Sequence, residues 1–140
     1  MISITDVRLS PTAETLVLEV LRSGQLAQGP FVERLEDDFA RWCGVRHAVA
    51  VSNGTVSLQL AMLALGIGPG DEVITTPFTF VGTINAVLSV GASVRFVDID
   101  PRTFCIDAKQ IEAAVTPSTV AVGPVHLFGQ PADMAAISVI

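Results

Sequence analysis

The segment Ala48–Thr55 contains the residues whose types and spacing most clearly indicate a binding site. An apolar run ends at Val51, and a small polar loop then leads directly into an apolar helical pattern. The N-terminus of a helix presents free backbone N–H groups and the positive end of the helix dipole. That arrangement suits a phosphate, and Gly54 and Thr55 are the residues that would contact it.

Other residues at the ends of predicted elements allow two interpretations each. The loop before the helix also fits an ordinary N-terminus capped by Ser52 or Asn53. Phe80, in Thr76-Pro77-Phe78-Thr79-Phe80, is either an aromatic that stacks on a flat heteroaromatic ligand or a core side chain under the next helix. Neither GxGxxG nor GxxxxGK followed by Ser or Thr occurs, so both nucleotide-binding fingerprints are missing.

Two further groups of polar residues favour a structural role. His126 ends a predicted strand and could act as a general base, but its setting is more typical of a structural histidine. Asp98 and Asp100 form a pair of carboxylates in Val97-Asp98-Ile99-Asp100-Pro101. An aspartate before proline is common in turns, so we assign both to turn structure.

Composition narrows the class of protein. Of 140 residues, 50% are hydrophobic and only 16% are charged, which indicates that a partner or further folded structure covers part of the surface. No run approaches the ~18 uninterrupted apolar residues that a membrane span needs. The net charge of −6 disfavours nucleic-acid binding, which needs a basic face.

The N-terminus and the cysteines indicate a cytoplasmic protein. The start, Met1–Asp6, lacks the basic and apolar regions of a signal peptide. Cys43 and Cys105 stand far apart without metal-type spacing, so we expect reduced thiols, buried as small apolar residues.

The elements that must position these residues follow from hydrophobic periodicity and from the turn residues. Residues 1–45 are predicted to form an N-terminal helical segment, and residues 46–140 to form part of an α/β domain whose mainly parallel sheet is covered by helices on both faces. Ligands bind such sheets beyond the carboxyl ends of the strands, where all of the candidate loops fall. Helices are predicted at Thr12–Ser23, Pro30–Trp42, Thr55–Leu65, Thr79–Val90, Ala108–Val115 and from Pro131 onward, and strands at His47–Ser52, Glu72–Thr76, Val94–Asp98 and Thr119–His126.

Several strings, in this order, resemble the DegT/DnrJ-type sugar aminotransferases, which use pyridoxal 5′-phosphate (PLP). The resemblance covers nearly the whole chain, and its specificity comes from the order and spacing of modest pieces. Those pieces are Ser23-Gly24 with Gly29-Pro30, the helix Val32–Phe39, Ala48–Thr55, Gly68–Ile74, Pro77–Phe80, Val97–Asp100 and Val125–Met134.

The resemblance implies the large domain of the PLP-dependent transferase fold type I, the aspartate-aminotransferase-like fold. It implies that Gly54 and Thr55 contact the cofactor phosphate and that Phe80 stacks on the pyridine ring. It further implies a homodimer that moves an amino group from an amino acid such as glutamate to a keto sugar attached to a nucleotide.

The catalytic residues of that family are not expected in this chain. PLP enzymes hold the cofactor as a Schiff base on a lysine. Lys109 is the only lysine here, and its surroundings resemble a solvated first turn of a surface helix rather than the family's lysine motif. The acidic partner of the pyridine nitrogen is not expected either, so the chain resembles an N-terminal portion, with the small domain absent, that is inactive alone.

Three functions remain open from the sequence. The first is the cofactor-phosphate half of a sugar aminotransferase. The second is a PLP-dependent sugar dehydratase of the same family, which would differ at the position of the lysine. The third is a non-catalytic module that partners a complete homologue.

Overall fold

The computed structural model describes residues 6–140, which form two compact units. One unit ends at Ala50, and the other runs from Val51 to Ile140. The division into an N-terminal helical segment, residues 1–45, and a partial α/β domain, residues 46–140, stays a prediction. None of the helices within residues 6–140 has both the length and the apolar character to cross a membrane.

The unit that ends at Ala50 contains two helices, α1 (Pro11–Ser23) and α2 (Pro30–Cys43). Their bounds confirm both predicted helices to within a residue. Each helix has proline in its first turn, where the missing N–H breaks no hydrogen bond. The Ser10 hydroxyl caps α1 by accepting a hydrogen bond from the Ala13 N–H at 3.1 Å.

Both cysteines of the chain are free thiols, but Cys43 is exposed at the end of α2 and only Cys105 is buried as predicted.

The predicted strand at His47–Ser52 is wrong. A strand exists only when a second strand pairs with it, and the described sheet gives this segment no partner. Within the first unit, the Ala50 N–H donates instead to the Glu36 carboxylate, at 2.8 Å. The apolar, β-favouring composition of the segment was therefore insufficient evidence for a strand.

The second unit is built on a parallel sheet whose strand order is β2-β1-β3. The strands are β1 (Glu72–Thr75), β2 (Ser93–Phe96) and β3 (Thr119–Val122), with Glu72 opposite Ser93 and Val73 opposite Ala121. All three strands were predicted, but β3 ends four residues earlier than expected. The Gly123 N–H still donates to the Ile74 carbonyl at 2.7 Å, just past the end of β3.

Four helices flank these strands: α3 (Gly54–Ala64), α4 (Gly82–Ser89), α5 (Ala108–Ala114) and α6 (Met134–Ile137). All four were predicted, and Gly66 and Gly91 follow α3 and α4 with φ of 77° and 83°, a region that favours glycine. The Asp107 carboxylate caps α5 through the Lys109 N–H at 3.1 Å, also as predicted.

Two helices begin later than predicted, because side chains hold the preceding backbone in turns. The Thr76 hydroxyl accepts from the Phe78 N–H at 3.3 Å, and α4 starts at Gly82 rather than Thr79. The Asp133 carboxylate caps α6 through the Ala136 N–H at 3.0 Å, so that helix begins at Met134 rather than at Pro131.

Both faces of the sheet are packed, as predicted. Val73 and Ile74 are adjacent in β1 and point to opposite faces, and each belongs to a separate buried cluster. The Val73 cluster includes Met62 of α3 and Val87 of α4, while the Ile74 cluster includes Ile111 of α5. Every residue of β1 is buried, so β1 is the rigid centre of the second unit.

A polar cluster ties the three strands together near the start of β1. One oxygen of the Glu72 carboxylate, Oε1, accepts from Arg95 Nε on β2 at 2.8 Å, from Thr119 Oγ1 on β3 at 2.8 Å and from Thr116 Oγ1 at 2.9 Å. The hydrogen bond from Arg95 outweighs the opposing effect of burial, and with the two threonine hydroxyls it lowers the pKa of Glu72 from 4.5 to about 2.

We predict that Glu72 makes folding pH-dependent in acid. Because the pKa of Glu72 is about 2 when folded and 4.5 ordinarily, its stabilising effect is complete above 4.5 and is lost as pH falls toward 2. Glu72→Gln should therefore lower the free energy of unfolding in urea near neutral pH, and the difference from the natural protein should shrink as pH falls. Glu112→Gln, at an exposed position on α5, is the control. A difference that is the same at neutral and acid pH would contradict the assignment.

Candidate functional site

The site begins at the N-terminus of α3. Asn53 is the cap, because its Oδ1 accepts from the Val56 N–H at 3.0 Å and its carbonyl accepts from the Ser57 N–H at 3.1 Å. Of the two cap residues that the sequence allowed, Asn53 is therefore the cap and Ser52 is not. Within residues 6–140, the Gly54 and Thr55 N–H groups donate to no protein acceptor. Two donors at the positive end of the α3 dipole are therefore free to bind a ligand.

The first turn of α3 favours an anion. Its residues, Gly54-Thr55-Val56-Ser57, include no carboxylate that would neutralise the positive end of the dipole. Within the described part of the chain, a Cβ built at Gly54 would meet no atom of a neighbouring element within 4 Å, so the backbone there is open to a ligand. Among the described residues, the Thr55 hydroxyl has no hydrogen-bond partner, and it supplies a further donor beside the two N–H groups.

Phe80 lies in the loop that joins β1 to α4. Thr75 and Thr76, at the carboxyl end of β1, are completely buried and fix the start of this loop: the Thr75 hydroxyl donates to the Gly123 carbonyl at 2.8 Å, and the Thr76 hydroxyl accepts from the Phe78 N–H. Phe80 itself is 76% exposed, so the interpretation as a core side chain is wrong. An exposed ring on an anchored loop can instead provide a flat contact surface.

The structure brings Gly54, Thr55 and Phe80 together around one cavity of about 790 Å³. This volume lies within the usual range of about 300–1,000 Å³ for small-molecule sites. The other residues that line it are Asn53, Val56, Ser57, Leu58, Gly82 and Thr83.

Gly82 is the residue of this cavity that sequence reasoning missed. It is buried at the first position of α4, and a Cβ built on it would lie 2.6 Å from Thr55 Oγ1 and 2.9 Å from Phe80 Cδ1. No local pattern pointed to it, because α4 was expected to begin at Thr79, which would have placed Gly82 inside the helix.

The remaining polar candidates make local contacts of the kind expected for structural residues. His126 Nδ1 accepts from the Ala132 N–H at 3.0 Å, which holds the loop after β3 and uses one ring nitrogen as an acceptor. Asp98 accepts from the Ile99 N–H at 2.8 Å. Asp100 pairs with Arg102 at 2.7 Å, and hydrogen bonds from that side chain and its backbone lower the pKa of Asp100 to about 2. None of the three lines the cavity at α3.

Lys109 is exposed in the first turn of α5, as predicted, and it does not line the cavity at α3. The cavity therefore combines an anion-binding helix terminus, a hydroxyl and an exposed aromatic ring, without a lysine amine among its lining residues. Such a set of groups can hold and orient a flat phosphorylated molecule.

Comparison with known proteins agrees with this geometry. Residues 9–140 match the model of the DegT/DnrJ/EryC1/StrS aminotransferase family. The chain is 54% identical over 121 residues to the spore coat polysaccharide biosynthesis protein SpsC of Bacillus subtilis, covering 86% of this chain and 31% of SpsC. It is 46% identical over 134 residues to GDP-perosamine synthase of Caulobacter vibrioides, covering 95% of this chain and 36% of that enzyme.

A solved structure shows the same fold. The crystal structure of NtdA from Bacillus subtilis with bound cofactor PMP superimposes with a TM-score of 0.84 at 43% identity, over 89% of this chain and 28% of NtdA. The chain thus spans about a third of the length of the curated relatives that it matches. The expected fold, part of the large domain of the PLP-dependent transferases of fold type I, is confirmed. This chain belongs to the DegT/DnrJ/EryC1/StrS aminotransferase family.

Proposed function

We propose that the cavity at the start of α3 binds PLP, and that the complete protein is an aminotransferase acting on a nucleotide-linked keto sugar with an amino acid such as glutamate as donor. The observation that carries this proposal is the pair of unpaired N–H groups of Gly54 and Thr55 beside the exposed Phe80 ring. Similarity to GDP-perosamine synthase supports the proposed substrate class.

The donors at α3 fit the phosphate group of PLP. The Gly54 and Thr55 N–H groups and the Thr55 hydroxyl offer three hydrogen bonds, and the helix dipole favours the negative charge. Gly54 leaves room for phosphate oxygens to approach the backbone, since no described atom of a neighbouring element lies within 4 Å of its Cβ position. The phosphate thereby anchors one end of the cofactor.

Phe80 fits the pyridine ring. Its side chain lines the same cavity as the phosphate donors, and the anchored loop after β1 limits its movement. Stacking on Phe80 would hold the ring in one plane while the phosphate is held at α3. Bound PLP supplies the electron sink that lets an amino group pass between substrates.

The proposal also concerns the source of the catalytic lysine and of the acidic residue that pairs with the pyridine nitrogen. The lysine amine and the acidic partner of the pyridine nitrogen would come from sequence that the relatives carry outside the third matched here. Residues 1–140 would then supply cofactor binding without amino transfer of their own. We further propose a cytoplasmic homodimer that does not bind nucleic acid, in keeping with a net charge of −6.

We predict that Thr55→Val weakens PLP binding by about tenfold, because a hydrogen bond to a charged group is lost. Binding of pyridoxal, which lacks the phosphate, should hardly change. Titration of the full-length protein with each compound, followed by ligand absorbance, measures both affinities. Thr15→Val, on the exposed surface of α1, is the matched control and should leave both unchanged. Equal weakening of PLP and pyridoxal binding by Thr55→Val would contradict a phosphate contact at α3, and a natural protein that binds pyridoxal as tightly as PLP would contradict a phosphate site altogether.

We predict a different pattern for Phe80→Leu. Removing the ring should lower the affinities for PLP and for pyridoxal by a similar factor, about fivefold to tenfold, because both compounds contain the pyridine ring on which Phe80 would stack. Phe96→Leu, on β2 and half exposed, is the control outside the cavity. A loss confined to PLP would show that Phe80 does not act by stacking.

A further inference from the structure

Gly82 occupies a position where the backbone does not require glycine. It begins α4 without the positive φ that marks Gly66, Gly70 and Gly91. Alanine is also the better helix former, so local structure alone would favour a side chain here. The reason for glycine must therefore lie in the surroundings.

The surroundings leave no space for a Cβ. A methyl group at Gly82 would lie 2.6 Å from Thr55 Oγ1 and 2.9 Å and 3.0 Å from Cδ1 and Cε1 of Phe80, all well inside van der Waals contact. Of the glycines in the described part of the chain, Gly82 has the closest such approach. Both neighbours are the side chains that we assign to the cofactor.

We propose that Gly82 is a positioning residue for cofactor binding. Its missing side chain lets the Thr55 hydroxyl and the Phe80 ring approach one another across the start of α4. This inference rests on the proposed function, because it concerns how two residues of that site are placed. Any side chain at position 82 would force the hydroxyl to rotate, the ring to swing, or both.

Gly82→Ala should have opposite effects on the stability of α4 and on the affinity for PLP. Gly82→Ala adds a residue that favours α4, so the thermal midpoint of the cofactor-free protein should stay the same or rise. The displaced hydroxyl and ring should weaken PLP binding by about tenfold. A merely structural role for Gly82 would lower the thermal midpoint of the cofactor-free protein instead.

The test compares PLP affinity and cofactor-free thermal stability for Gly82→Ala in the full-length protein. Gly68→Ala is the matched control, since its Cβ would lie 3.7 Å from the nearest atom, the Val90 carbonyl oxygen, which is ordinary contact. The control should leave PLP affinity unchanged. Unchanged PLP affinity in Gly82→Ala would overturn the inference.

A double-mutant cycle shows whether Gly82 acts through Thr55. In a Thr55→Ala background the nearest clash is gone, so Gly82→Ala should cost less PLP affinity there than in the natural protein. Equal costs would overturn the inference. A Gly82→Ala variant with a lowered thermal midpoint and unchanged PLP affinity, in either background, would overturn it as well.

Failure of the proposed function would be distinguishable from failure of this inference. The first is shown by a natural protein that binds PLP no tighter than pyridoxal. The second is shown by a natural protein that prefers PLP while Gly82→Ala binds it equally well.

Discussion

The first turn of an α-helix leaves backbone N–H groups that no helical carbonyl can accept, and the candidate site depends on how α3 meets this constraint. Asn53 satisfies the N–H of Val56, and the described residues leave those of Gly54 and Thr55 without an acceptor. Because these donors lie at the positive end of an 11-residue helix, an anion is their most favourable partner. The hydroxyl of Thr55 and the ring of Phe80 line the same cavity, and we propose that they select which anion fits.

The sheet makes this arrangement rigid. Strand β1 is buried on both faces, and its carboxyl end is fixed by Thr75 and Thr76 just before the loop that carries Phe80. At the other end of β1, the Glu72 carboxylate joins Arg95 of β2 and Thr119 of β3. The polar contacts that hold the strands in register are thus separated from the end that we propose binds the ligand, as expected for a parallel sheet.

Most of the helices and strands, and the loop at the candidate site, could be predicted from the sequence. Periodicity located the six α-helices and three strands found within residues 6–140, and the loop before α3 was recognised because small polar residues followed an apolar run. The strand at His47–Ser52 was wrong, since composition reports burial and β preference but not the presence of a pairing strand. The exposure of Cys43 was missed because a cysteine at the end of a helix is buried only if another element covers it.

Gly82 shows most clearly what sequence reasoning cannot reach. A Cβ built on it would lie 2.6 Å from the hydroxyl oxygen of Thr55, 27 positions earlier, and no local pattern encodes that approach. The family resemblance supplied roles for Gly54, Thr55 and Phe80, whereas the structure explains how they converge. Local signals predict elements, and the approach of one element to another decides the shape of the cavity.

The central claim is that the free N–H groups at the start of α3 bind the phosphate of PLP. Titration of ¹⁵N-labelled protein with PLP, followed by amide chemical shifts, tests it most directly. We expect the Gly54 and Thr55 amide signals to shift to lower field with PLP and to stay nearly unchanged with pyridoxal. Binding of PLP that leaves both amide signals in place would contradict the account.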